Sequence, residues 1–244
     1  MAATPGVEWI GISTNGLKLA ALAEPLRAAG ARTVNVSLDA LTPAVYLRIT
    51  GGAVEPVLAG IRAALAAEFD CVKLNMVLLR GINQEELWPL VGFSAEHGLP
   101  LRLIELMPLN PRDHIRPDNF LSVGEAMRRL QGRDVLVPMP EAGLGHGPAR
   151  YYRLAKSGAV VGFIGALTTP HFCDRCNKLR LTADGRLRPC LGHHAEISLR
   201  AALADASRDN ALRQFFRQAM ANKPREHAFR DSFTPCRPMT AIGG

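Results

Sequence analysis

The chain has 244 residues, 48% hydrophobic and 21% charged, and a formal net charge of +7. That length supports one large α/β domain or a domain with a smaller companion. No apolar run reaches the roughly 18 residues of a membrane span, and the opening MAATPGVEWIGI lacks the cationic start and long apolar stretch of a secretory signal. A soluble, cytoplasmic protein is expected.

In chain order, short β-rich runs alternate with longer helical ones. VEWIGIST, TVNVSLD, CVKLNMVLL and PLRLIELMP read as strands, and LKLAALAEPLRAAG, AVEPVLAGIRAALAAEF and NQEELWPLVGFSAEHG between them read as helices. Asn83 to Glu86 resembles a capping arrangement at the start of the third helix. This alternation predicts a parallel sheet or barrel. A Pro-rich loop follows from Pro108 to Pro117, then a short helix that Ser122 and Glu125 could cap. The Gly-rich stretch EAGLGHGPAR marks a boundary near 141. Beyond it come two strand-like runs, YYRLA and VVGFIGAL, a cysteine-containing segment, and a helical region around DNALRQFFRQAMANK.

Two strands carry polar residues two apart, namely Asn35, Ser37 and Asp39 on one and Lys73 and Asn75 on the other. Side chains two apart share a face of a strand, so each strand has one polar face. A polar face turned inward requires a ligand or water. An inner face wetted by ordered water, or an edge strand facing solvent, is the plainer alternative.

Three of the five cysteines, Cys173, Cys176 and Cys190, follow the spacing C-x2-C-x13-C. Such bunching suits metal ligation in a reducing compartment better than a disulfide framework; Cys71 and Cys236 are expected to be free thiols. Asp184-Gly185, between KLRLT and RLRPC, predicts a hairpin turn that returns Cys190 to the level of the first pair. Three thiolates leave one coordination position open. A structural zinc would recruit His171, His193 or His194, whereas an iron-sulfur cluster would keep one iron open; spacing alone leaves both readings standing. Lys178 and Arg180 adjoin that open position and suit an anionic ligand. Arg186 and Arg188 read as a solvated hairpin face.

HFCDRCNKLRLTADGRLRPCL resembles the carboxy-terminal cluster motif of the GTP 3′,8-cyclase family, the radical S-adenosylmethionine enzymes of molybdenum cofactor biosynthesis. STNG at 13–16, VNVSLD at 34–39, VKLN at 72–75, RLIELMP at 102–108 and the terminal RPMTAIGG resemble that family in the same order. The resemblance implies an α/β fold: a partial, incomplete TIM-type barrel over 1–140, followed by a smaller C-terminal iron-sulfur domain over 141–244. It implies conversion of GTP to a cyclised pterin precursor by radical chemistry, and no single catalytic side chain.

Position by position, it implies that Cys173, Cys176 and Cys190 hold an auxiliary 4Fe-4S cluster. Ser13, Lys73, Arg102, Lys178, Leu179 and Arg180 would bind GTP, with Lys73 and Arg102 on the triphosphate. Ser37 and Met107 would bind S-adenosylmethionine, and Gly243 and Gly244 would form a tail reaching the active site. Ser13 stands where threonine is usual and keeps the hydroxyl. Lys178 stands where some members have arginine and keeps the charge without the planar fork. For Met107, a core methionine is the plain alternative.

The family's amino-terminal C-x3-C-x2-C motif, which holds the cluster that reduces S-adenosylmethionine, has no counterpart here. The expectation is a chain lacking the first βα units, through a wrongly assigned start, as a fragment or as a truncated form, inactive and poorly folded alone, with one cluster and no reductive cleavage. Expected partners are GTP, S-adenosylmethionine and a second copy of the chain, with neither nucleic acid nor membrane. Two competing readings are a zinc ribbon with a basic hairpin that binds nucleic acid and another radical enzyme with an auxiliary cluster. Few cations lie near the cysteines, and no aromatic residues interleave with them, which speaks against the first. The second usually brings more cysteines and no Gly-Gly ending.

Overall fold

The computed structural model describes residues 2–109, 115, 117–140, 143–145, 147–204, 208–231 and 233–242. The backbone divides into two compact units, one of residues 1–106 with 118–168, the other of 107–117 with 169–244. The expected division near 141 falls within the first unit, because the strands on either side of it belong to one sheet.

The first unit opens with β1 (Gly11–Thr14), α1 (Leu19–Ala28), β2 (Thr33–Ser37), α2 (Pro43–Thr50), α3 (Glu55–Ala66), β3 (Cys71–Leu78), α4 (Leu87–Glu96) and β4 (Leu101–Glu105). After α5 (Val123–Gln131) come β5 (Leu136–Pro138), β6 (Arg150–Leu154) and β7 (Val160–Ile164). The seven strands form one sheet in the order β1-β2-β3-β4-β7-β6-β5. Pairing is parallel from β1 through β4 to β7 and antiparallel from β7 to β6 to β5. The unit is therefore α/β with a mostly parallel sheet, as the alternation predicted.

Period-two alternation builds the core. Val34, Val36, Leu38, Val72, Leu74, Met76, Leu101, Leu103, Val161 and Phe163 are buried together with Leu19, Val57, Ile61, Leu87 and Leu90 from the helices. Helix α3 packs closely on α1 because Gly60 has no side chain: a Cβ there would lie 2.6 Å from the Gly16 carbonyl oxygen and 2.9 Å from the Leu19 Cβ. The short α2 starts with Pro43 in its first turn and stops at Gly51, whose φ of 77° closes a left-handed cap.

Two buried polar side chains organise the loops at the ends of the central strands. Asn83 does not cap a helix, contrary to the sequence reading. Its amide donates to the carbonyls of Asp39 (2.9 Å) and Val77 (2.8 Å) and accepts from the Leu79 N–H (2.8 Å). Glu86, the other half of the expected cap, instead accepts from the backbone N–H groups of Leu41 (2.7 Å) and Thr42 (3.1 Å). Both side chains are buried, so they answer loop amides that water cannot reach, which a cap on an exposed turn would not do. Ser122 does cap α5, accepting from the Glu125 N–H at 3.2 Å.

Glu105, at the end of β4, is buried at 1% exposure. Its carboxylate accepts from the N–H groups of Val123 (3.1 Å), Leu167 (2.8 Å) and Thr168 (3.1 Å) and from the Thr168 hydroxyl. One side chain thereby ties β4 to the start of α5 and to the segment after β7.

The second unit contains β8 (Arg180–Leu181), β9 (Arg186–Arg188), β10 (Ile197–Ser198), α6 (Arg200–Ala204) and α7 (Arg208–Ala221). Its three strands form an antiparallel sheet in the order β10-β9-β8. Leu187, Leu199 and Ala219 form a small core with Leu179, Ile197, Leu212 and Phe215 against it. The Asp184-Gly185 turn forms as predicted, with Gly185 at φ 78°. Arg237 clasps Asp184 through both oxygens, at 2.9 and 3.0 Å. That bidentate pair holds the Asp184 carboxyl well below the usual carboxylate range. Among the described residues, no single helix is long and apolar enough to cross a membrane.

Two outcomes are expected. Glu105→Leu, which strands several buried donors, should lower stability by about 3 kcal/mol or more in urea unfolding, with Glu105→Gln intermediate; a loss below about 1 kcal/mol would contradict the role given to Glu105. Because the Asp184 carboxyl is depressed in the folded chain, its contribution is present above its unfolded value of about 3.9 and fades as pH falls below it. Arg237→Met should therefore be less stable than the parent at neutral pH, with the gap narrowing below about pH 4; a constant gap across that range would refute the linkage.

Candidate functional site

In the first unit, strand register stacks the polar residues into two rows on one face of the sheet. Ser13, Asn35 and Lys73 stand opposite one another across β1, β2 and β3. One step along, Ser37, Asn75, Arg102 and Gly162 align across β2, β3, β4 and β7, and Tyr151 of β6 pairs with Gly162. The four first-unit residues expected to bind ligand, Ser13, Ser37, Lys73 and Arg102, thus share a face. Ser13 and Ser37 are exposed, and Lys73 is buried at 4% exposure.

Asn35 donates to the Ile12 carbonyl (3.2 Å) and the Ser13 hydroxyl (3.3 Å), leaving its own carbonyl oxygen buried without a partner. Arg102 donates through Nε to the Asn75 carbonyl oxygen at 2.7 Å. The Tyr151 phenol, from the far side of Gly162 on the same face, acts on the same guanidinium and raises its pKa. The Tyr151 ring reaches this position because it lies over Gly162, where a Cβ would come within 2.6 Å of ring carbon Cε1. Glycine inside a strand here marks a close approach.

Electrostatically the face is unusual. Burial pulls the pKa of Lys73 below that of an ordinary ammonium, and the neighbouring Arg102 adds to this while Cys71 opposes it. Burial also pulls Arg102 down, offset by Tyr151. Burial pushes up both the Cys71 thiol and the Tyr151 phenol, so all four groups influence one another. Among the described residues no carboxylate pairs with Lys73 or Arg102. The Gly-rich loop passes over the ammonium: Gly145 has φ +103°, and a Cβ there would lie 3.5 Å from the Lys73 Nζ. A buried and a half-buried cation faced by neutral partners form a receptor for an anion.

In the second unit, Cys173 begins a short 3-10 turn whose carbonyl accepts from the Cys176 N–H at 3.0 Å. Strands β8 and β9 pair Arg180 with Arg188, so the register continued outward sets Cys190 across from Lys178. Lys223, just beyond α7, closes this open end. Its ammonium donates to the carbonyls of Pro189 (2.7 Å) and Lys178 (2.8 Å) and lies 3.7 Å from the Cys176 sulfur. Burial raises the Cys190 thiol pKa, Lys223 lowers it, and Cys173 and Cys176 raise it further, so the three thiols feel one another's charge. Among the described residues, no group of three or more His, Cys, Asp or Glu side chains is drawn together as a set of metal ligands. Thiolates repel one another and converge when a cation joins them. Their donor set is nevertheless the right one for a soft metal or an iron-sulfur cluster.

Of the expected fourth ligands, His171 pairs with Asp174 at 3.0 Å, and His194 contacts the Cys236 sulfur at 3.2 Å while stacking on Phe233. Burial draws the Arg180 guanidinium down and Cys176 raises it, so the arginine and the thiols feel one another's charge. Lys178 is exposed and Leu179 lies against the small core. Met107 is half-buried. Gly243 and Gly244 lie outside the described residues.

One expectation is corrected. Arg188 is not part of a solvated face but is buried at 1% exposure, donating to the carbonyls of Cys190 and Leu191 (3.2 Å each) and pairing with Glu196 at 3.3 Å. It braces the backbone on which Cys190 sits. Sequence reasoning missed Tyr151 and Lys223. Glycine in the middle of VVGFIGAL signalled a close approach to that strand; nothing in the residues around Lys223 pointed to the thiols.

Because no described carboxylate offsets the buried charge of Lys73 and that charge opposes folding, Lys73→Met is expected to raise stability by about 1 kcal/mol in urea unfolding. A clear loss of stability would show that the ammonium is compensated and that the face is not an anion receptor.

Two family models match the chain: Radical SAM superfamily over residues 2–93 and Molybdenum Cofactor Synthesis C over residues 99–229. The GTP 3′,8-cyclase of Heliobacterium modesticaldum is 38% identical over 242 residues, covering 98% of this chain and 74% of that protein. The GTP 3′,8-cyclase of Moorella thermoacetica is 40% identical over 245 residues, covering 100% of this chain and 75% of that one. That of Paracoccus denitrificans is 42% identical over 226 residues, covering 92% of this chain and 64% of the other. The matched residues span both the polar face and the cysteine hairpin, and the chain belongs to the GTP 3′,8-cyclase family.

Proposed function

We propose that this chain serves the GTP 3′,8-cyclase reaction of molybdenum cofactor biosynthesis, in which C3′ of the ribose is joined to C8 of the guanine, by binding GTP. Its sequence holds no C-x3-C-x2-C motif for the cluster that reduces S-adenosylmethionine, and the radical-generating step is not assigned to its residues. The observation that carries the reading is the pair Lys73, which is buried, and Arg102, which is half-buried, on adjacent strands of the polar face with no carboxylate partner among the described residues. A triphosphate supplies the negative charge this face lacks, and the relatives named above carry the same activity in their names.

Membership of the radical S-adenosylmethionine superfamily implies a 4Fe-4S cluster and S-adenosylmethionine as cofactors; together they supply one-electron chemistry. In this reading Lys73 and Arg102 neutralise the phosphates, and Ser13 adds a hydroxyl from the edge strand β1. Ser37, on the same face, contacts S-adenosylmethionine, and Met107 offers it a soft apolar surface. Cys173, Cys176 and Cys190 hold an auxiliary 4Fe-4S cluster; three thiolates leave one iron position for a ligand other than the protein. Arg180, whose charge the thiols feel, and Lys178, with Leu179 between them, orient GTP there. Gly243 and Gly244 complete the reading as a tail without side chains that can pass close to a ligand.

The test is GTP binding by the chain after anaerobic reconstitution with iron and sulfide. Lys73→Met is expected to weaken binding about tenfold or more, and Cys190→Ser to lose most of the iron and weaken binding as well. Unchanged GTP affinity in Lys73→Met, or zinc held in place of iron, would count against the reading.

A further inference from the structure

Tyr151 belongs to neither of the groups of residues assigned above, yet it sits on the phosphate-facing side of the sheet. Its ring crosses Gly162, the residue paired with Arg102 on the neighbouring strand. Arg102 and Tyr151 flank Gly162 from its two neighbouring strands with no side chain between them, and because arginine has only hydrogen-bond donors, the phenol oxygen is the acceptor where the two meet. The Asn75 carbonyl oxygen takes the Nε donor of the same guanidinium at 2.7 Å. Two neutral acceptors therefore hold a cation that no described carboxylate neutralises, and the hydroxyl hydrogen of Tyr151 is not used in that contact. Burial keeps this phenol protonated well above neutral pH, so the hydrogen is present when a ligand arrives.

We propose that Tyr151 is a positioning residue of the anion-binding face: its oxygen accepts from Arg102 and aims the guanidinium at the phosphates, while its hydroxyl hydrogen donates to a phosphate oxygen of the ligand. The class of ligand is a polyphosphate ester, and the proposal rests on the reading of this face as a triphosphate site. Gly162 is part of the device. A side chain there would push the ring off the strand, separating the phenol from Arg102.

The experiment uses inorganic tripolyphosphate as probe, titrated by calorimetry into the whole chain and into Tyr151→Phe, which keeps the ring over Gly162 and removes the hydroxyl. Affinity is expected to fall about five- to tenfold, as loss of a hydrogen bond to a charged group predicts. The thermal midpoint should stay within about 2 °C of the parent. Gly162→Ala is expected to show a similar loss of tripolyphosphate affinity, because it displaces the phenol without removing it. Unchanged affinity in Tyr151→Phe would overturn the proposal, as would a loss of affinity accompanied by a midpoint drop of several degrees, the mark of a purely structural role. If the parent chain itself does not bind tripolyphosphate, the reading of the face as a phosphate site fails first, a result distinguishable from failure of Tyr151 alone.

Discussion

Lys73 and Arg102 occupy adjacent strands with their charges on one face of a sheet, and burial draws down the pKa of both. Each loses hydration, and each is repelled by the other. A fold tolerates that only if the rest of the sheet is strongly held and if the charge serves a ligand. The apolar face of the same strands supplies the first condition, because Leu74, Met76, Leu101 and Leu103 are fully buried among the helices. Alternation along β3 therefore does two things at once. Even-numbered residues anchor the strand in the core, and the odd-numbered Cys71, Lys73 and Asn75 are presented to the opposite side.

Holding that face in shape falls to buried side chains in the loops rather than to the face itself. Asn83 and Glu86 fix the chain after β2 and β3, and Glu105 fixes the ends of β4 and β7. All three are polar groups whose hydrogen bonds end almost entirely on backbone N–H or carbonyl groups, the Thr168 hydroxyl on Glu105 being the exception. Because such loops cannot borrow water once they are covered, the cost of leaving these partners unmade is what keeps the strand ends in register. Cations at the ligand face can then stand without carboxylates among the described residues, since their placement does not depend on salt bridges.

Much of this was legible in the residues. The alternation in VNVSLD and VKLN identified the polar face, and Asp184-Gly185 identified the hairpin, because both depend on local rules of period and turn geometry. What escaped was decided by contacts distant in sequence. Asn83 and Glu86 have the spacing of a helix cap, but the β2 loop some forty residues earlier competes for them and wins. Arg188 looks solvated in a run of alternating arginines, yet Glu196 and two carbonyls draw it inside. Tyr151 depends on a glycine eleven residues later in an antiparallel neighbour. The helix α2 carried its own signals, Pro43 at the start and Gly51 at the end, but its brief apolar run did not stand out beside the longer α3.

The partners chosen by each cation separate its structural from its ligand-facing use. Arg27 and Arg32 meet Asp70, Arg80 and Arg129 meet Glu125, Arg188 meets Glu196, and Arg237 meets Asp184. In each of these contacts a carboxylate at close range offsets cationic charge, which weakens the field left to offer a ligand. Lys223 is bound mainly by carbonyl dipoles, which orient its ammonium beside Cys176 without cancelling its charge. Lys73 and Arg102 go furthest, being flanked by an amide, a phenol and a thiol that stay uncharged at neutral pH. A net charge of +7 spread over 244 residues says little by itself. Its meaning lies in where neutral partners replace carboxylates, because there the positive field survives burial and can act on an anion.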